Sequence, residues 1–198
     1  MDGRTELQVR TANRIGQSLQ EREAPTEKFE TLTFDDGYEG VYQNAFPILQ
    51  KYHSPATIFV IGERLTNRGK ITSFSFLSVS QLREMMQFGI EVGSHSLSHR
   101  DLVLLDDRNL EIEIRDSKKM IEDTLGQSIQ HFCYPLGNFN HHVAETVKTI
   151  GYASACSTIM GQWNTKDELF QLKRIATGYQ QTVMQFIYRL EILSWVNR

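Results

Sequence analysis

From Glu30 onward the chain alternates short runs of β-branched and aromatic residues with longer amphipathic stretches, and no other feature restricts its fold as much. Six runs have strand length and composition: Thr31 to Phe34, Ala56 to Ile61, Ile90 to Ser94, Ile129 to Tyr134, Ala153 to Ser157 and Leu172 to Ala176. Between them the apolar spacing becomes helical. A helix beginning near Asp107 carries Leu110, Ile114, Ile121 and Leu125 before Gly126, a residue suited to the left-handed turn that ends a helix. Others run from about Ser80 to Phe88 before Gly89, from about His141 to Ile150 before Gly151, and from Thr182 to Leu193. The three internal glycines each lead into a strand. Repeated helix, Gly, strand junctions favour α/β architecture, a barrel or a doubly wound sheet, and both collect functional groups at the C-terminal ends of strands.

The 198 residues suit one domain with a core large enough to fold without disulfides. Residues 1–26 have few large apolar side chains and a short possible helix from Glu6 to Leu19, so they read as a polar N-terminal appendage to a domain spanning 27–198. A net charge of −3, with Lys and Arg scattered, leaves no basic track for nucleic acid. No apolar run approaches the roughly 20 residues that a membrane-crossing helix needs. The stretch Met1 to Glu30 is polar and lacks the apolar middle of a secretory signal, so either the protein stays inside the cell or a leader is missing here. The two cysteines, Cys133 and Cys156, lie in apolar runs and read as buried thiols rather than a disulfide framework.

Asp35 and Asp36 stand where the first strand gives way to Gly37. An Asx-type turn would explain them equally well, but adjacent carboxylates repel unless a cation relieves them, which favours a metal nearby. His95 and His99, in HSLSH, follow the third strand and could share an ion, although an isolated H-x-x-x-H often arises by chance and could be two solvated loop histidines. Two imidazoles and a carboxylate from the first strand's end make a three-ligand set with an open position, the plan of a catalytic zinc site.

TFDDG at Thr33 to Gly37 with HSLSH at His95 to His99 resembles the polysaccharide deacetylase family, carbohydrate esterase family 4. TIFVIG at Thr57 to Gly62, EVGSH at Glu91 to His95 and YPLG at Tyr134 to Gly137 resemble that family's flanking strands and third motif, so the likeness runs from about Glu30 to Leu193. The resemblance implies a distorted, incomplete (β/α) barrel of about six to seven parallel strands. It implies a hydrolase that removes N-acetyl groups from an amino-sugar polymer, chitin-like, peptidoglycan or poly-N-acetylglucosamine, and hence an N-acetylated polysaccharide or oligosaccharide partner in the cell envelope or outside the cell. Asp35 would be the general base and Asp36, His95 and His99 the metal ligands. Tyr134, Pro135, Leu136 and Gly137 would line the substrate, with the Leu136 N–H near the developing oxyanion. Zinc is the expected ion, with cobalt, nickel or manganese as alternatives.

Two positions depart from the family pattern. Cys133 stands where many members have an Arg beside the base, and Arg174, in Leu172-Lys173-Arg174, stands where many have a His acting as general acid. Arg cannot give up a proton at ordinary pH. Arg174 is therefore expected to reach Asp35 and orient it, with a surface Arg on the last strand as the alternative. A weakened carbohydrate-binding or regulatory relative, and a hydrolase of small cyclic amides, remain open as other functions. Trp163 could stack on a sugar or serve as an ordinary packing aromatic, and His141 and His142, near enough to YPLG to reach the cleft, read better as exposed histidines at a helix start.

Overall fold

The computed structural model describes residues 8–9, 11–12, 29–66, 74–161, 164–178 and 181–196. Two short strands, β1 (Gln8–Val9) and β2 (Phe29–Glu30), pair in parallel ahead of the main sheet. The segment after β1 docks on that sheet: Ala12 is buried and its N–H donates to Thr57 Oγ1 at 3.1 Å, and Thr11 Oγ1 donates to Glu91 at 2.7 Å. Most of the helix expected from Glu6 to Leu19 lies outside the described residues, and Gln8–Val9 within that span is strand.

The main sheet has six parallel strands in chain order, β3 (Thr33–Phe34), β4 (Thr57–Val60), β5 (Glu91–Ser94), β6 (His131–Cys133), β7 (Ser154–Met160) and β8 (Leu172–Arg174). Each lies within or overlaps its expected run. All of β4 is buried, which is why its sequence is continuously apolar apart from Thr57 rather than alternating. Around the sheet run α1 (Phe46–Lys51), α2 (Gly62–Thr66), α3 (Val79–Gln87), α4 (Asp107–Glu111), α5 (Ser117–Leu125) and α6 (His141–Thr149), and α7 (Val183–Val196) follows β8 with Val183, Met184, Ile187 and Tyr188 exposed. The curled sheet with outer helices is an incomplete (β/α) barrel, its β3 and β8 edges unpaired with each other among the described residues.

Helix ends follow local chemistry. Ser78 and Gln81 form a capping box at α3, Asp106 caps α4 through the Asn109 N–H, and Asn140 caps α6 through the Val143 N–H. Gly126 ends α5 at φ 75°, in the left-handed conformation that glycine enters without a side-chain penalty. The helix expected from Asp107 is present but interrupted: Ile112–Asp116, between α4 and α5, is π-helical. Leu82, Ile114 and Ile121 are fully buried on the faces turned to the sheet, each contributing about 1.5–3 kcal/mol of burial.

Candidate active site

The parallel sheet brings the C-terminal ends of β3, β5, β6 and β8 to one end of the barrel, and each delivers a residue to a single cluster. Asp36 comes from the turn after β3, His95 and His99 from the loop after β5, and Arg174 from β8. Asp36 Oδ1 lies 3.6 Å from His95 Nε2 and 3.4 Å from His99 Nε2. A tetrahedral ion with bonds of about 2.0–2.1 Å separates its ligands by about 3.4 Å, so the three side chains fit a zinc-sized cation.

The donor set is prepared on the imidazole side as well. His95 Nδ1 lies 2.8 Å from the Cys133 carbonyl oxygen, which can only accept. Nδ1 therefore carries the proton, leaving the Nε2 lone pair aimed at the cluster, the arrangement by which a ligating histidine is usually oriented. Burial holds His95 below the ordinary histidine range, against the raising effect of the Asp35 charge, so the ring is neutral as a ligand must be.

Beside this cluster, Asp35 is held in a two-point pair: Arg174 Nη1 donates to Oδ1 and Nη2 to Oδ2, both at 2.8 Å. The same guanidinium donates to Thr33 Oγ1 at 3.0 Å and, through Nε, to the Ser157 carbonyl at 3.0 Å, so it spans the gap between the sheet's two edge strands. Burial would raise Asp35's carboxyl, but hydrogen bonds and charge from Arg174, with His95 and Cys133, hold it below the usual carboxylate range. Cys133 lies 3.2 Å from Arg174 Nη2, and burial pushes its thiol well up. Asp35, His95 and Cys133 also cluster closely enough to hold an ion, yet the guanidinium already fills Asp35's two oxygens and faces the sulfur. That second group does not suit a cation.

Backbone strain concentrates here. Among the described residues five non-glycine residues have left-handed φ, and four of them are Asp36 (69°), Ser96 (64°), His99 (65°) and Leu136 (59°). Each costs about 1–2 kcal/mol, and such residues gather where function dictates the backbone. In the third motif, Tyr134 is buried and its hydroxyl donates to the Phe170 carbonyl, Pro135 is buried, Leu136 is exposed, and Gly137 has φ 73° with Thr158 where a Cβ would stand.

Several participants had no motif to announce them. Ser96 Oγ accepts the His99 N–H, and Glu113 binds the loop between the histidines. Tyr38, whose hydroxyl interacts with Asp36, packs with Phe74 and Phe76 in an aromatic group. His141 and His142 are exposed on α6, His142 pairing with Asp107 at 2.9 Å, and play no part in the cluster. Both cysteines are buried free thiols. Trp163 lies outside the described residues.

A model of the polysaccharide deacetylase family matches residues 22–155. The chain belongs to that family. This polysaccharide deacetylase family member is 32% identical over 168 residues to YxkH of Bacillus subtilis, a polysaccharide deacetylase by name, covering 85% of this chain and 58% of YxkH. It is 29% identical over 139 residues to the peptidoglycan-N-acetylglucosamine deacetylase of Bacillus cereus, covering 70% of this chain and 58% of that protein. Among solved structures it resembles the Streptococcus pyogenes deacetylase PplD in complex with acetate, with TM-score 0.83, 26% identity, and coverage of 93% of this chain and 80% of that one. The chain thus spans 58% of the length of each of the two curated relatives.

Proposed function

We propose that the chain is a metal-dependent hydrolase that removes N-acetyl groups from an amino-sugar polymer, chitin-like, peptidoglycan or poly-N-acetylglucosamine. The observation that carries this reading is the juxtaposition of a metal-sized ligand triad, Asp36, His95 and His99, with a separately held carboxylate, Asp35. Asp36 and the two imidazoles would hold a divalent ion, zinc by the donor set, which would polarise the acetamide carbonyl and lower the pKa of water.

Asp35 takes the proton from the attacking water, and Arg174 keeps it ionised and oriented for that role. The Leu136 N–H is the donor for the oxygen on which negative charge develops, a preorganised dipole of the kind that contributes strongly to acyl transfer. Because Arg174 stays protonated, the proton held on Asp35 is the one passed to the leaving amine as the C–N bond breaks, giving acetate and a free amino sugar. Tyr38 and the exposed ring of Phe74 supply an aromatic wall suited to the apolar face of a sugar. The acetate bound in the PplD structure and the peptidoglycan deacetylase named among the relatives support this substrate class.

The test is acetate release from a panel of acetylated chitin, peptidoglycan and poly-N-acetylglucosamine oligomers, with and without chelator. Release that chelator abolishes and added divalent metal restores is the expected result. Tight metal binding without release from any acetylated oligomer would replace the enzyme reading with that of a carbohydrate-binding relative.

A further inference from the structure

We propose that Glu113 is a positioning residue that sets the separation of the two histidine ligands by fixing the backbone between them, an inference that rests on the metal reading above. Glu113 is 3% exposed, and a carboxylate withdrawn that far from water must be compensated by hydrogen bonds. Every hydrogen bond its side chain makes among the described residues comes from two consecutive residues of the HSLSH loop. Oε2 accepts the Leu97 N–H at 3.1 Å and the Ser98 N–H at 2.9 Å, and Oε1 accepts the Ser98 hydroxyl. Both residues lie between His95 and His99.

The π-helical stretch Ile112–Asp116 explains how one residue reaches the loop twice. The Ser117 N–H turns to the Ile114 carbonyl rather than to that of Glu113. The Glu113 carbonyl is thereby left for the Leu97 N–H, at 3.0 Å. Leu97 thus shares its proton between the main chain and the side chain of a single glutamate. A π-helical turn inside an α-helix is uncommon and is frequently found at functional sites.

The loop needs such a hold because its conformation is unfavourable in isolation. Ser96 at φ 64° and His99 at φ 65° are both left-handed, at about 1–2 kcal/mol each. Successive N–H groups beside such residues form a concavity that favours an anion, and the Glu113 carboxylate fills it. Without it the Ser98 N–H loses its acceptor and the Leu97 N–H keeps only the Glu113 carbonyl, and relaxation of the loop carries His99 away from Asp36. Two further contacts of the loop, Gly62 N–H to the Ser96 carbonyl and Glu63 N–H to the Leu97 carbonyl, do not involve the Glu113 side chain and remain.

The experiment compares E113A, E113D and E113Q with the wild-type full chain and with H95A. Co2+ affinity is measured by titration of the metal-free protein, and hydrogen exchange is measured at the Leu97 and Ser98 amides in the metal-free state. In E113Q the amide oxygen can accept both N–H groups while its NH2 faces the Ser98 hydroxyl, so E113Q should stay close to wild type. E113A, and E113D with its shorter reach, should lose about 10- to 100-fold in Co2+ affinity, the usual effect of removing a group that orients a metal ligand. Their Leu97 and Ser98 amides should exchange faster while amides of the β4 and β5 core stay protected. Wild-type Co2+ affinity in E113A, or a loss in E113Q that E113D does not share, would overturn the positioning role. Wild-type affinity in H95A would overturn the metal centre itself, which is a separate failure. If E113A does not fold, the order of E113Q and E113D decides the matter.

Discussion

Two adjacent aspartates meet opposite surroundings. Asp36 Oδ1 faces the Nε2 atoms of two histidines, whereas both oxygens of Asp35 are occupied by one guanidinium. The Asp35→Asn variant should therefore retain bound metal while its kcat falls by about 10²- to 10⁴-fold, the range for loss of a general base. His95→Ala should lose both metal and activity. Metal content and acetate release measured on the same samples check this, and equal metal loss in the two variants would reverse the assigned roles. Arg174→Ala removes the groups that hold Asp35's carboxyl down against burial, so that carboxyl rises toward or above its ordinary range. A base works when ionised, so the acidic limb of the kcat/KM profile should move to higher pH as the rate falls; an unchanged limb would show that Arg174 does not act through Asp35. TFDDG and HSLSH were legible in the sequence because each packs its functional side chains into five residues. Glu113 was not, although a signal exists: it stands three residues after Leu110 and beside Ile114, a charge within the apolar stripe of its helix.

At the scale of elements, all six strands of the sheet could be read from composition, because strands buried in a parallel sheet are written as short apolar runs. The segment 41–51 was missed for two reasons. Its first half, Val41–Ala45, is π-helical and lacks the α-helical period, and Pro47 reads as a breaker although the helical run passes directly from that π-helical stretch through Pro47 into α1. The short α2, opening on Gly62, is too brief for any period to show. Turns separate glycines that serve conformation from those that serve packing. Gly126 has φ 75° and open space around it, so Gly126→Ala should cost about 1 kcal/mol. Gly137 has φ 73° and would place a Cβ on the Thr158 side chain, so Gly137→Ala adds a clash to the same strain and should displace the Leu136 N–H. Thermal melts and acetate release of the two variants should differ accordingly: a small Tm loss with full activity for the first, a larger loss with impaired kcat for the second. Equal effects would mean that the Thr158 contact yields freely.

Over the whole molecule, the fold places its polar chemistry in two unlike environments on the same strands. The end carrying Asp35, Asp36, His95 and His99 satisfies its charges in pairs, whereas His131, at the start of β6, is 3% exposed with Nδ1 at 2.9 Å from Ser154 Oγ and Nε2 without a partner among the described residues. Burial, then the nearby Lys118 charge, lowers its pKa to about 4. In the unfolded chain a histidine titrates near pH 6.5, so between about pH 6.5 and 4 the unfolded state binds a proton that the folded state refuses. Stability from this residue is therefore level above about pH 6.5, falls as the pH drops toward 4, and is level again below it. A separation of about 2.5 units corresponds to roughly 3 kcal/mol, a substantial part of an ordinary domain's 5–15 kcal/mol. Urea unfolding of the wild type and His131→Gln across pH 4 to 8, with chelator present so that metal release does not enter, isolates this contribution. Burial also lowers His95, but that residue is common to both proteins and cancels in the difference. The stability difference between the two proteins should shift by about 3 kcal/mol against the wild type as the pH falls from 7.5 to 4. Parallel curves would show that His131 is hydrated or paired in solution and is not the residue that makes this fold acid-sensitive.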